Sequence, residues 1–97
     1  MFDKINQLKK QMDEIKSRLD NIHVTGASPN EMVKVVMNGN KRLIDVQISE
    51  SFHKVADLEE LQDYIVMACN HALTQADNVN ETEMRAAAGS MLPGFGF

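Results

Sequence analysis

The sequence predicts an α+β chain with a long helix at each end and β-strands between them. Three observations predict it. Apolar residues recur every three or four positions from Ile5 to Ile22, two alternating runs flank Asn38-Gly39, and a second three-or-four pattern runs from Leu58 to Val79. The 97 residues make one domain, 1–97, with an irregular apolar tail expected over 89–97.

Ile5, Leu8, Met12, Ile15, Leu19 and Ile22 form an a/d heptad seam, with Lys, Arg, Asp and Glu between them. A helix that packs on a monomeric core usually shows a wider apolar stripe. The narrow seam therefore predicts helix-on-helix packing and a homodimer. It spans only about 2.5 heptads, so cover from elsewhere in the dimer is expected to support it. His23-Val24-Thr25 has β character, Gly26 to Asn30 reads as a turn or loop, and residues 23–27 offer a third strand. In the next run Val33, Val35 and Met37 share a face. Asn38-Gly39 is a strong hairpin signal, because both residues tolerate positive φ. Ile44, Val46 and Ile48 then share a face while Asp45 and Gln47 point away. Such a hairpin needs helices over its apolar side. Ser49 to Phe52 is expected to be a connection. The second helix is expected from about Asp57 to Ala88, with acids in its first turn and Gly89 as its stop. The tail 89–97 is either a frayed end or a sticky segment that docks on its own dimer.

Composition narrows the function. The chain opens on charged and amide residues rather than a signal peptide, and no apolar run is long enough for a membrane span. A single cysteine, Cys69, excludes an intrachain disulfide and fits a reducing cytoplasm, with Cys69 expected as a small buried hydrophobe. His23, His53 and His71 lack ligand spacing, and no glycine-rich phosphate loop or marked nucleophile is present. Glu59, Glu60 and Asp63 are explained by the helix dipole. No enzyme activity, cofactor, metal, small-molecule substrate or membrane partner is expected.

Charge is distributed unevenly. The net charge is -4, yet residues 1–56 carry nine Lys or Arg against seven acids, and residues 57–97 carry only Arg85 against seven acids. Lys9, Lys10, Lys16 and Arg18 stud the first helix, and Lys41-Arg42 follows the hairpin turn. Such residues hold phosphates through charge without reading bases, although a solvated helix face would look the same.

In order and spacing, the sequence resembles the YbaB/EbfC family of bacterial nucleoid-associated proteins. The resemblance rests on the Met-Phe opening of a Lys-, Gln- and Met-rich helix, on Val24-Thr25-Gly26, and on the strand ending at Asn38-Gly39. It rests also on Val46-Gln47-Ile48, on Leu58 to Leu61, on Asn70-His71-Ala72 and on Leu92-Pro93-Gly94-Phe95. It implies an α-β-β-β-α chain with a three-stranded antiparallel sheet, dimerising through that sheet into a tweezer-like shape, and DNA binding at the nucleoid. The expected phosphate contacts are Lys9, Lys10, Lys16 and Arg18, with Lys41 and Arg42 secondary. The expected packing and dimer residues are Ile5, Leu8, Met12, Ile15, Leu19, Val33, Val35, Ile44, Val46 and Ile48. The alternative is a protein–protein adaptor without significant DNA affinity.

Overall fold

The computed structural model describes residues 2–91. Helix α1 (Phe2–Asp20) leads into β1 (His23–Ala27). A 3-10 turn (Pro29–Glu31) precedes β2 (Val33–Asn38) and β3 (Leu43–Ile48). A short α2 (Glu50–Val55) and the 34-residue α3 (Leu58–Met91) follow. The strands form one antiparallel sheet in the order β1-β2-β3, so residues 23–27 are indeed a strand and Gly26 and Ala27 belong to it rather than to a loop. Ser28 closes the β1–β2 connection, its Oγ accepting from the Val33 N–H at 2.8 Å.

The core lies between the sheet and the first half of α3. Val33, Val35 and Met37 are buried against Ala68, Ala72 and Ala76. Three alanines one turn apart let the helix settle close to the sheet, and Gly26 completes that fit. A Cβ on Gly26 would fall 2.1 Å from the Ala72 nitrogen and 2.4 Å from the Ala68 carbonyl oxygen. Here glycine answers a need for space rather than for a turn. Asp57 starts α3 by accepting the Glu60 N–H at 2.8 Å.

Two expectations change. Residues 49–52 are not a plain connection. Ser49 caps α2, and Phe52 plugs the core by stacking on Tyr64 with ring centroids 4.6 Å apart. Gly89 does not stop the last helix, so residues 89–91 are helix rather than tail. Ala86-Ala87-Ala88 are the strongest helix formers and carry the helix through Gly89 to Met91. The remaining tail, 92–97, lies outside the described residues. The hairpin signalled by Asn38-Gly39 is present. Asn38 ends β2, and a four-residue loop follows in which Lys41 holds the left-handed conformation, φ 66°. Asn38 Oδ1 accepts from the backbone of both Asn40 and Arg42, which stabilises this wider loop.

Candidate nucleic-acid interface

The loop between β2 and β3 is where the two basic segments meet. The end of a helix leaves carbonyls without partners. The loop supplies donors at the end of α1: the Gly39 N–H donates to the carbonyl of Leu19 and to that of Ile22 just beyond the helix, both at 2.9 Å. Asn40 Nδ2 donates to the Lys16 carbonyl at 2.9 Å and also to the Asp20 carboxylate. A Cβ on Gly39 would lie 2.8 Å from Leu19 Cδ2, so glycine is required by this close approach. Lys16 and Arg18 thus end up at one junction with Lys41 and Arg42, though more than twenty residues separate the pairs.

The outer half of α3 closes the junction from the other side. Asn80 Nδ2 donates to the Gly39 carbonyl at 3.2 Å. Arg18 Nε pairs with Glu83 at 3.0 Å, and Lys41 Nζ pairs with Asp77 at 2.8 Å. Two of the six candidate cations are therefore partly neutralised by acids of α3. Lys9, Lys10, Lys16 and Arg42 are exposed and form no ion pair among the described residues. Lys9 and Lys16 stand two turns apart on the same side of α1, which spaces them along the helix by about 10 Å.

The candidate packing residues divide into two groups. Ile15, Leu19, Val33 and Val35 are buried within the chain. Ile5, Leu8 and Met12 are exposed along α1, and Ile44, Val46 and Ile48 are exposed on β3 together with Leu43. Helix α3 packs on β1 and β2, so the β3 edge lies beyond its cover. A register shift at Val36/Met37 sets Leu43, rather than Ile44, opposite Met37. Cys69 is half-buried and packs against the core.

The sequence did not reveal Asp20, Asn40, Asp77, Asn80 and Glu83 as parts of this site. A motif search would have found no signal for them, because their partners lie on other elements. His71 is another such residue, its Nδ1 accepting the Ala27 N–H at the β1 edge at 3.0 Å. No described helix is long and apolar enough to cross a membrane. Among the described residues no three His, Cys, Asp or Glu side chains group as a metal site.

Fold and surface together define a small α+β domain that presents basic side chains on a projecting helix and a bare apolar strand at its sheet edge. The family model for the YbaB/EbfC DNA-binding family matches residues 1–91. A nucleoid-associated protein of Streptococcus agalactiae is 36% identical over 94% of this chain and 92% of its own length. One from Clostridium kluyveri is 32% identical over 91% of this chain and 78% of its own. The crystal structure of an uncharacterized protein from Helicobacter pylori superposes with a TM-score of 0.66 at 27% identity, covering 91% of this chain and 98% of that one. The chain belongs to the YbaB/EbfC DNA-binding family.

Proposed function

We propose that the protein is a dimeric DNA-binding protein of the bacterial nucleoid that grips phosphates with little sequence preference. Membership in a DNA-binding family supports the class, and relatives named as nucleoid-associated support the location. The observation that carries the reading is the docking of the β2–β3 loop on the end of α1, where Asn40 bonds the Lys16 carbonyl, so that the segment carrying Arg42 joins the helix carrying Lys9, Lys10 and Lys16. All four are exposed cations. Such groups hold phosphates and have no groove-shaped set of donors for reading bases. Dimerisation through the sheet is supported by the bare Leu43, Ile44, Val46 and Ile48, since an open apolar strand edge invites pairing.

Anisotropy of a labelled duplex, titrated with protein between about 50 and about 200 mM salt, tests the reading. Four cations per protomer give a slope of log K against log salt of about -3.6 to about -7.2, depending on whether one or both protomers engage. A random-sequence duplex is expected to bind nearly as well as any other. Absent binding at low salt, or binding indifferent to salt, rejects the proposal. It would favour an adaptor, for which exposed Val66, Met67 and Leu73 on α3 offer an apolar surface.

A further inference from the structure

The apolar seam of α1 is covered at one end only. Exposure rises steadily toward the N-terminus, from 0% at Leu19 and 2% at Ile15 to 38% at Met12, 50% at Leu8 and 60% at Ile5. The covered end shows what the seam accepts. It packs along the outer half of α3, where Ile22, just past the helix, shares a shallow groove with Val79. Beside that contact the flanking Arg18 bonds Glu83 at 3.0 Å. Apolar contact along the seam, with a carboxylate against a basic flank, is thus a pairing already built into the fold. The exposed end carries the same pattern. Ile5, Leu8 and Met12 occupy a and d positions and line one side of the helix over about 10 Å. Lys4 and Gln11 hold the g positions beside them, and Lys9 holds the e position. The nearby acids Asp3, Asp13 and Glu14 fall at f, b and c, away from the seam. Lys4 and Lys9 are exposed and form no ion pair among the described residues.

That charge pattern selects the occupant, because the e and g residues of paired helices decide which partners are accepted. A second copy's α1 would set cation against cation along both flanks. The exposed side of a second copy's outer α3 presents Asn78, Glu81, Thr82 and Arg85, with no large apolar residue among them to meet Leu8. We infer that Ile5, Leu8 and Met12, edged by Lys4 and Lys9, form a docking surface for an acidic amphipathic helix of another protein. Such a helix would lay an apolar stripe on the seam and set Asp or Glu against the two lysines, as Glu83 is set against Arg18 at the covered end. The inference does not rest on DNA binding, although Lys9 belongs to both surfaces.

The test uses the full chain and a labelled synthetic helix of about three heptads, with Leu at a and d and Glu at e and g. Repulsion among its own Glu side chains keeps this peptide from pairing with itself. One control peptide carries Lys in place of Glu, and another carries Ser in place of Leu. Anisotropy at about 150 mM salt is expected to show saturable, micromolar binding of the Glu peptide and binding of both controls weaker by about tenfold or more. Leu8→Asn should weaken the Glu peptide by about tenfold, since a large apolar contact is lost, and should leave the salt slope of duplex binding as it is. Reversing Lys4 and Lys9 to Glu should invert the preference between the Glu and Lys peptides. Absent binding of the Glu peptide overturns the inference, and so does equal binding of either control or an affinity indifferent to Leu8→Asn. Equilibrium sedimentation of the protein alone is expected to give the same mass with and without Leu8→Asn. A mass that falls in the variant would make a second copy the occupant and overturn the inference as well.

Discussion

Asp77 and Glu83 are the acids that hold Lys41 and Arg18, and they set how much of the junction's positive charge is free for phosphate. Both cations are exposed and both acids half-exposed, so each pair adds at most about 1 kcal/mol to stability. Their effect on binding is expected to exceed their effect on folding. Asp77→Asn and Glu83→Gln should each tighten duplex binding and steepen the salt slope by about 1, as one more cation becomes available. An unchanged slope in both variants would show that Arg18 and Lys41 stay out of the contact. In the opposite sense, reversing Lys9, Lys10 and Lys16 to Glu should leave the circular dichroism spectrum intact and weaken binding more than about tenfold. The basic residues were legible in the sequence as residue types. Their acidic partners were not, because pairing across 36 or 65 positions leaves no trace in local spacing. Gly26 was misread for a similar reason. Its requirement comes from the backbone of α3, more than forty residues away.

Among the elements, the loop after β2 acts as the C-terminal cap of α1 and is the hinge on which the arm's direction depends. Truncating Asn38 removes the acceptor for two backbone N–H groups of that loop. Asn38→Ala is expected to cost about 1 to 3 kcal/mol in urea unfolding and to speed amide exchange around residues 19–22. Gly26→Ala should cost at least about 3 kcal/mol, since helix and strand backbones must separate to admit the methyl group. A near-wild-type urea midpoint for that variant would contradict the alanine-stripe packing. Both long helices and both hairpin strands were legible, because each buries a face with a regular period. The short α2 was not, since six residues show no period and its one buried contact, Phe52 on Tyr64, is tertiary. The end of α3 was misplaced because glycine stops a helix only where a left-handed residue is wanted, and the alanines before Gly89 favour continuing.

For the molecule as a whole, the uncovered β3 edge is the feature that bears on assembly. A negative charge there should block pairing of two sheets without disturbing the core of either. Val46→Asp and Ile48→Asp are therefore expected to yield folded protein of monomeric mass by equilibrium sedimentation, while the parent protein sediments as a dimer at micromolar concentration. A monomeric parent would remove the sheet-edge argument, and a dimeric double variant would move the interface elsewhere. The α-β-β-β-α order could be anticipated from the family resemblance. That β3 is left bare on its own chain could not, because it depends on where α3 crosses the sheet.

The elongation of the chain affects how that experiment has to be read. The protein extends 62 × 23 × 17 Å, with a radius of gyration of 18.1 Å. A compact chain of its length would have a radius near 12.5 Å, and 18 Å is what a compact chain of about 250 residues shows. Friction follows shape as well as mass, so a single copy will leave a sizing column earlier than a compact chain of the same mass. Retention volume therefore overstates the mass of the single chain. Sedimentation at equilibrium, or light scattering at the column outlet, weighs the particle without regard to its outline.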